Sequence, residues 1–400
     1  MTLRIAIVGC GVAGSVLGTL LAGRSGIDLM CFEKALPGDH AEAGTGLNVG
    51  PNAMKALRLV APELAARVRA ASYDWARWAV SHVDGTPIFD FAVTELADEP
   101  GIRIRWSELY RVLRQPLVDM ARFGVQVTGC GFDPARPGTL FVDYADRTGK
   151  PCREDGFDLV IAGDGRYSAL RARFAEPLAV HHVGATIYRL LVADTSAGLI
   201  DDYAWWFNGP KRLLAFRVPP DRVYIAGSFP MTAGNDIPAD QKTPAALARH
   251  YLPERGEPCA DVRWMVDQLV RNAGQVHWAR LQESPPLFRD ESGHVLFLGD
   301  SAHGMVPTLG QGATQAVEDA CVAGSLISRA TSGASAPSAS ALTAAIAQAR
   351  HDRVRWVMDF SLDATAAMLE GADPQAAMGR LRDAYYRDAF RRLWSDVSLP

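Results

Sequence analysis

The sequence has little that would define a secreted, metal-binding or membrane-spanning protein. Its six cysteines are scattered, with no CxxC pair and no Cys/His spacing suited to zinc. We therefore expect free thiols in a reducing, cytoplasmic compartment and no bound metal. No uninterrupted run of about 18 apolar residues occurs, so we expect no membrane span. The first residues imitate a signal peptide, but glycines at positions 9, 11 and 14 interrupt the apolar stretch.

An excess of charge of one sign is also lacking. The formal net charge is −4, so the chain has no basic field for a polyanion, and nucleic acid is not the expected partner. Small molecules are the expected ligands. With 48% hydrophobic residues in 400, the chain can bury more than the usual single core. This length predicts either one large domain with an insertion or two domains.

The first 33 residues have the pattern of a β-α-β unit. Residues 3–8 and 28–32 are strand-like, residues 15–22 are helix-like, and the second strand ends at Glu33. The first turn reads GCGVAG, from Gly9 to Gly14. Such glycines permit a tight turn beside a helix N-terminus that favours pyrophosphate, while the acid can accept from ribose hydroxyls. The unit predicts a dinucleotide site and leaves NAD and FAD as alternatives.

Two further apolar runs end on a Gly-Asp pair. Residues 157–162 precede Asp164 in DLVIAGDGRYSALR, and residues 295–298 precede Asp300 in HVLFLGDSAHGMVPTLGQGATQAVEDA. Continuous apolar runs are typical of strands covered on both faces of a parallel sheet. For Asp164, the alternative interpretation is an ordinary turn former or helix cap.

The remaining segments predict a second sheet and several helices. Residues 75–91 and 188–229 alternate aromatic or β-branched with polar residues, which predicts antiparallel strands of a separate sheet. Residues 52–59, 108–122, 341–369 and 378–394 have helical periodicity, the second despite Pro116. Residues 331–340 have the composition of a low-complexity linker. We interpret Arg350, Arg353 and Arg355 as a charged helix face.

These motifs, in this order, resemble those of the FAD-dependent aromatic hydroxylases, the group A flavoprotein monooxygenases that include salicylate, para-hydroxybenzoate and hydroxynicotinate hydroxylases. GTGLNVGPNAMKAL, residues 44–57, is similar to the family's loop near the flavin. The resemblance implies an α/β fold: a Rossmann-like, para-hydroxybenzoate hydroxylase-like FAD-binding domain, an inserted mixed or antiparallel sheet domain for the substrate, and C-terminal helices. The implied boundaries are 1–70, 101–175 and 285–330 for the first, 71–100 and 176–284 for the second, and 331–400 for the helical region.

The resemblance also assigns cofactor contacts. It implies that Glu33 holds the adenosine ribose, that Asp300 contacts the ribityl chain and that Asp164 supports the pyrophosphate region. Where the family usually carries an arginine this chain has Trp106, so Arg105 and Arg111 are alternatives for that contact with FAD. The cofactor-binding residues expected on this basis are Gly9, Gly11, Val12, Ala13, Gly14, Glu33, Lys34, Gly46, Arg105, Arg111, Asp164, Asp300, Gly310, Gly312 and Ala313, the last two through N–H groups at the flavin pyrimidine.

The implied activity is hydroxylation of an electron-rich aromatic or N-heteroaromatic acid, salicylate- or hydroxynicotinate-like, with O2 through a flavin C4a-hydroperoxide. NADH or NADPH would bind transiently as co-substrate, and the protein would be a monomer or homodimer. One alternative is another FAD-dependent oxidoreductase on the same scaffold, a halogenase or a reductase. DWARWAV does not supply the halogenase segment Trp-x-Trp-x-Ile-Pro. Another alternative is a non-catalytic flavin-binding sensor.

Substrate contacts are expected on the Gly-Asp loop and the second sheet. A neutral His303 could accept the substrate's hydroxyl proton, or it could instead bond to backbone in a tight loop. An arginine of YAWWFNGPKRLLAFRVP could bind an aromatic carboxylate bidentately, or the arginines could be solvated beside an aromatic sheet face. The expected catalytic residues are His303, Arg212, Arg217 and Tyr188, and the expected substrate-binding residues are Asn48, Trp206, Phe216 and Pro307.

Overall fold

The computed structural model describes residues 2–39, 45–176, 179–332, 338–397 and 399. Gly44 of the flavin-loop motif and residues 333–337 of the expected linker lie outside these ranges. The strands are β1 (Leu3–Val8), β2 (Ile27–Glu33), β3 (Gly46–Val49), β4 (Tyr73–Trp75), β5 (Arg77–His82), β6 (Pro87–Ala92), β7 (Gly101–Arg105), β8 (Arg122–Phe123), β9 (Gln126–Phe132), β10 (Leu140–Ala145), β11 (Pro151–Phe157), β12 (Leu159–Ala162), β13 (His181–Ala193), β14 (Tyr203–Asn208), β15 (Lys211–Val218), β16 (Arg222–Ser228), β17 (His277–Glu283) and β18 (Val295–Phe297). The helices are α1 (Val12–Leu21), α2 (Pro51–Val60), α3 (Pro62–Ala70), α4 (Trp106–Arg114), α5 (Ala169–Phe174), α6 (Pro244–His250), α7 (Ala260–Arg271), α8 (Gln311–Thr331), α9 (Ala339–Thr365), α10 (Pro374–Gly379) and α11 (Ala384–Ser395).

A parallel five-stranded sheet carries the three motifs. Its strand order is β18-β12-β1-β2-β8, and every neighbouring pair is parallel. Strands β12 and β18 are buried along their whole length, which confirms the prediction made from their continuous apolar runs. Because parallel strands end at the same edge, the glycine turn, Glu33 and both Gly-Asp pairs meet in one crevice.

The second sheet has seven strands in the order β17-β13-β16-β15-β14-β5-β6. Most pairs are antiparallel, as expected, but β14 runs parallel to β5, with Tyr203 opposite Trp78. The sheet is therefore mixed, because the β5–β6 hairpin comes from a distant part of the chain and needs no tight turn to reach β14. Its inner face, with Leu214 and Phe216, belongs to the large core, and its outer face packs under α6 and α7. The α/β fold class with an inserted mixed sheet is confirmed.

The expected helix over residues 108–122 is wrong in its second half. Helix α4 ends at Arg114, a single turn follows over Gln115–Leu117, and Arg122 begins strand β8. Pro116 explains the early end, because its ring nitrogen cannot donate to the preceding turn. At the C-terminus, the stretch expected at 378–394 divides into the end of α10 and helix α11. Within the described ranges, no helix is both long and apolar enough to cross a membrane.

The outer face of the seven-stranded sheet holds a histidine that should make stability depend on pH. Burial, with Lys211 and Arg249 nearby, lowers the pKa of His250 to about 4, and its ring stacks 4.6 Å from that of Phe229. Since the pKa of His250 is lower in the folded than in the unfolded state, the contribution of the neutral ring to stability is complete above about pH 6.5 and is lost as pH falls towards 4. We expect the melting temperature of the wild type to fall more between pH 7 and pH 5 than that of His250→Gln. Equal falls in differential scanning calorimetry would contradict this assignment.

Candidate functional site

The glycine turn leaves backbone exposed where a ligand can approach. Gly9 has φ +93°, and a Cβ there would lie 2.5 Å from the Gly163 carbonyl oxygen. A Cβ on Gly14 would lie 1.9 Å from the Gly9 carbonyl oxygen. No side chain fits at either position, so the turn can be built only from glycine. Helix α1 begins within the GCGVAG segment, at Val12, and directs its first N–H groups into the crevice.

Acidic side chains line the crevice on both sides of the turn. The Glu33 carboxylate accepts from the backbone N–H of Cys10 at 2.6 Å and of Ala35 at 2.9 Å. Oδ2 of Asp164 accepts from the N–H of Leu170 at 3.3 Å, but its buried Oδ1 has no partner among the described residues. Desolvation raises the pKa of Asp164. This buried oxygen needs a hydrogen-bond donor, which a ligand with hydroxyl groups can supply.

Asp300 lies at the mouth of the same crevice. Solvent reaches its side chain, yet protein surrounds the carboxyl group closely enough that lost hydration raises its pKa. Oδ1 lies 3.9 Å from the position that a Cβ on Gly312 would take. The carboxylate therefore stands beside the first turn of α8, whose N–H groups have no partners within the helix.

The start of α8 brings together residues from distant parts of the sequence. Gly310 donates its N–H to the Pro307 carbonyl at 3.1 Å, and a Cβ on Gly310 would lie 2.5 Å from Nδ2 of Asn48. That Nδ2 is buried and has no partner in the part of the chain that the structure describes. Gly312 and Ala313 follow in the first turn. The structure thus gathers the predicted Asn48, Pro307 and α8 residues at one place.

His303 lies in a buried charged network behind α8 rather than on an open surface. Its Nε2 lies 2.7 Å from Asp319 Oδ2, and Asp319 Oδ1 accepts from Arg350 Nε at 2.7 Å. Arg350 Nη1 also donates to Glu318 at 2.9 Å. Burial alone would raise the pKa of Asp319, but His303 and Arg350 lower it to about 2. Nε2 of His303 is therefore held by a side chain rather than by backbone, while its buried Nδ1 has no partner among the described residues.

The network corrects the interpretation of Arg350 as part of a charged helix face. Its side chain is 3% exposed and neutralises two adjacent acids on α8. Arg353 joins one of these acids, with Nη2 3.4 Å from Glu318, while Arg355 is exposed. The signal that could have found Arg350 was the adjacent pair Glu318 and Asp319 on an apolar helix, since buried acids require a cation.

On the seven-stranded sheet, Arg212 and Phe216 point inward together. Arg212 is 1% exposed, and its Cζ lies 4.5 Å over the Trp205 ring. Its Nε and Nη1 have no partner in residues 2–39, 45–176, 179–332, 338–397 and 399. The Phe216 ring lies 4.9 Å from that of Tyr224. It also packs closely against Gly46, because a Cβ on Gly46 would lie 3.0 Å from Cε2 of Phe216. An unpaired cation thus lies among aromatic rings near the expected flavin loop.

Three other predicted residues lie away from this group. Tyr188 and Trp206 belong to the outer core under α6 and α7. Tyr188 shares a hydrogen bond with the hydroxyl of Tyr251, which also donates to the Arg212 carbonyl at 3.0 Å. Arg217 alternates to the opposite side of β15 from Arg212, and its Nε lies 2.7 Å from Asp194. The structure therefore does not bring Tyr188, Trp206 and Arg217 together with Arg212.

Only some of the basic residues predicted to bind the cofactor lie at the crevice. Arg111 is exposed and lies 2.6 Å from Glu108, and Lys34 is also exposed. Arg105 is half-buried immediately before α4. A residue missed in the sequence, Arg114, instead reaches the glycine turn, where its Nε donates to the Cys10 carbonyl at 2.8 Å.

Comparison with known proteins identifies the scaffold. The family described as "FAD binding domain" matches residues 157–361. The chain is 31% identical over 330 residues to aurachin C monooxygenase/isomerase of Stigmatella aurantiaca, covering 80% of this chain and 79% of that protein. The chain belongs to the group A flavoprotein monooxygenases. This flavoprotein monooxygenase is also 25% identical over 336 residues to 6-hydroxynicotinate 3-monooxygenase of Pseudomonas fluorescens, covering 79% of this chain and 80% of that protein.

Solved structures agree with that assignment at the level of fold. Klebsiella pneumoniae HpxO complexed with FAD and uric acid gives a TM-score of 0.75 at 23% identity, covering 98% of this monooxygenase and 93% of that chain. Pseudomonas aeruginosa PqsL in complex with 2-aminobenzoylacetate gives 0.77 at 18% identity, covering 96% and 100%. The resemblance stated from the three motifs is therefore confirmed.

FAD is the cofactor of this monooxygenase, and the crevice fits it. The glycine turn gives a close approach for a pyrophosphate, Glu33 stands at the end of the next strand, and Asp164 has an unpaired buried oxygen. These features suit a ligand with both phosphate and hydroxyl groups. FAD has both.

The monooxygenase also has a packed aromatic cluster that sequence reasoning missed. It joins the inner sheet face to the loop before α8 and to the last helix. Its residues are Trp75, Trp78, Tyr203, Trp205, Thr308, Leu309, Phe390 and Trp394. Because Trp205 also lies under Arg212, this cluster extends by direct packing from the guanidinium to the loop before α8. Local sequence could not reveal it, since four separate segments build it.

Proposed function

We propose that this enzyme uses NADH or NADPH and O2 to hydroxylate an electron-rich aromatic or N-heteroaromatic acid. The observation that carries the proposal is Arg212, a buried cation whose Nε and Nη1 lack partners throughout the described ranges. Burying an unpaired charge is costly, so a ligand carboxylate that pairs with it bidentately would be strongly favoured. The surrounding rings of Trp205 and Phe216 suit the flat apolar body of an aromatic acid.

The names of the relatives support this substrate class. Two relatives are named for hydroxynicotinate and 3-amino-4-hydroxybenzoate, which are aromatic acids. A salicylate- or hydroxynicotinate-like acid therefore fits both the family and the buried arginine. FAD supplies the redox and oxygen chemistry when bound, and the residues of the chain bind, orient and exclude water.

We assign the following roles to the chain's own residues. Glu33 accepts from the adenosine ribose, Asp164 accepts from a donor near the pyrophosphate, and Asp300 accepts from the ribityl hydroxyls. The first N–H groups of α8, at Gly312 and Ala313, stabilise negative charge on the flavin pyrimidine. Asn48 and Pro307 border the substrate near Gly310. His303 fixes the loop through Nε2, which contacts Asp319, and its buried Nδ1, unpaired within the described ranges, is the nitrogen available to accept the substrate's hydroxyl proton.

Some expectations remain proposals. They are a discontinuous FAD-binding domain over 1–70, 101–175 and 285–330, a sheet domain over 71–100 and 176–284, and a helical region over 331–400. A cytoplasmic location and a monomer or homodimer also stay predictions.

Asp300→Ala should lose FAD while remaining folded. The substitution removes the carboxylate beside α8, and a lost hydrogen bond to a charged group weakens binding by about tenfold or more. Flavin absorbance per protein after gel filtration measures occupancy, and circular dichroism measures folding. Asp267→Ala, at an exposed position on α7, is the control. Full flavin occupancy in Asp300→Ala would remove the role assigned to this carboxylate.

The activity is tested by oxidation of NADH and NADPH in the presence of aromatic acids. We expect hydroxybenzoates or hydroxypyridine carboxylates to stimulate oxidation and to yield a hydroxylated product, and their carboxamides to do so much less. Stimulation by the amides as strong as by the acids would contradict the part assigned to Arg212. An FAD-loaded protein that forms no product with any aromatic acid would contradict the proposed reaction.

A further inference from the structure

Arg114 lies at the cofactor crevice, between the glycine turn and the acid of β2. It is the last residue of α4 and is 4% exposed. Its Nε donates to the Cys10 carbonyl at 2.8 Å, inside the GCGVAG turn. Its Nη2 lies 3.5 Å from Glu33 Oε2. The guanidinium therefore contacts both the glycine turn and Glu33, the two parts of the dinucleotide-binding motif.

The third nitrogen of Arg114 is buried and unpaired. Nη1 has no partner among the residues for which the structure gives positions. A buried N–H of a cation that lacks an acceptor carries a large desolvation penalty, so the site is incomplete without an acceptor. The crevice beside a glycine turn is where a dinucleotide places its pyrophosphate, whose oxygens are strong acceptors for arginine.

The sequence of α4 explains how the guanidinium reaches this place. Trp106, Tyr110 and Arg114 are four residues apart and therefore share one face of the helix. The Trp106 and Tyr110 rings lie 4.6 Å apart, and Arg114 Cζ lies 4.5 Å over the Tyr110 ring. The Tyr110 hydroxyl lies 3.7 Å from the position of a Cβ on Gly11. The Tyr110 ring, packed edge-to-face against Trp106, thus holds the arginine against the turn.

This packing explains the tryptophan at position 106, where the chain departs from the usual sequence of the family. The family usually has an arginine there, and this chain has an indole that supports Tyr110 instead. We propose that Arg114 binds the pyrophosphate of FAD through Nη1 and so replaces the arginine missing at position 106. The proposal concerns binding of FAD alone and needs no assumption about the substrate.

The test compares flavins that differ in the adenosine and pyrophosphate half. Apoprotein with Arg114→Gln is titrated with FAD and with riboflavin, and binding is measured by quenching of flavin fluorescence. We expect the Kd for FAD to rise about tenfold to a hundredfold and the Kd for riboflavin to stay unchanged. Arg114→Lys keeps the charge but loses the planar fork, so its Kd for FAD should be intermediate. Arg391→Gln, an exposed arginine on α11, is the control for loss of a positive charge.

A second comparison separates direct contact from action through Glu33. Removing Arg114 also leaves Glu33 without its cation, so the same substitution is made in Glu33→Gln. A direct contact predicts that Arg114→Gln still weakens FAD binding in that background. If the effect disappears there, Arg114 only positions Glu33 and the proposal is wrong.

Other results would also overturn the proposal. They are an unchanged Kd for FAD, an equal loss of affinity for FAD and riboflavin, or a loss of FAD affinity in Arg111→Gln without one in Arg114→Gln. If Arg114→Gln fails to fold by circular dichroism, Arg114→Lys decides the question. Wild-type affinity of the lysine variant for FAD would then contradict a contact that depends on Nη1 of the guanidinium.

Discussion

Replacing Arg350 by methionine is expected to lower the free energy of unfolding by about 3–5 kcal/mol, because breaking a buried ion pair leaves uncompensated charge behind. The guanidinium of Arg350 contacts Asp319 at 2.7 Å and Glu318 at 2.9 Å, and all three side chains are at most 3% exposed. Methionine matches the length of the arginine stem but supplies no cation. The two acids on α8 would then repel each other inside the core.

Urea unfolding of the FAD-saturated protein measures this loss. Arg355→Met, on the exposed side of the same helix, is the matched control and should change stability by less than about 0.5 kcal/mol. Neutralising the acids as well, in Arg350→Met with Glu318→Gln and Asp319→Asn, should recover part of the lost stability. A loss below about 1 kcal/mol in Arg350→Met would contradict a buried charged network.

The network should also respond to acid in one direction. The pKa of Asp319 is lowered to about 2, so its contribution to stability is complete above about pH 4 and disappears as pH falls towards 2. Asp319 therefore adds to the loss of stability in acid, in a lower range of pH than His250 does.

Replacing Arg212 by methionine is expected to lower kcat/KM for the aromatic acid by about a hundredfold to a thousandfold. Truncating one member of a buried, hydrogen-bonded charge pair costs about 2–5 kcal/mol, and this loss should appear mainly in KM because the carboxylate is bound before and during reaction. Arg212 lies at 1% exposure over Trp205, where water cannot replace it. Arg212→Met should also lose the preference for acids over their carboxamides.

Steady-state kinetics with matched acid and amide substrates measure both effects. Arg212→Lys should recover part of the affinity, since a point charge remains without the planar fork. Arg222→Met, a partly exposed arginine at the start of the neighbouring strand, controls for changed net charge. An unchanged kcat/KM in Arg212→Met would show that the substrate carboxylate is bound elsewhere.

Local sequence was sufficient to predict the cofactor crevice. The glycine turn and the Gly-Asp strand ends can each be recognised from a few consecutive residues. Because the strands pair in parallel, their carboxyl ends lie at one edge of the sheet. Helix α4 shows the limit of periodicity, because the apolar spacing continued past Pro116 while the helix stopped at Arg114. The spacing of Trp106, Tyr110 and Arg114 was a usable signal for a shared helix face.

The substrate side could not be predicted in the same way. Strands β14 and β15 are buried on both faces, by the main core inside and by α6 and α7 outside, so apolar alternation does not distinguish the faces. The sequence therefore predicts Trp206 where the structure places Trp205 inward, and it groups Arg217 with Arg212 although the two side chains lie on opposite sides of β15. Trp394 comes from the last helix, and only tertiary packing brings it to the aromatic cluster.

The proposed reaction inserts one oxygen atom from O2 into an aromatic acid. The direct measurement is turnover of a stimulating acid with isotopically labelled dioxygen, followed by mass spectrometry of the product. The account predicts a hydroxylated product that carries a single labelled oxygen, formed in step with oxidation of NADH or NADPH. A product whose new oxygen comes from water would contradict it.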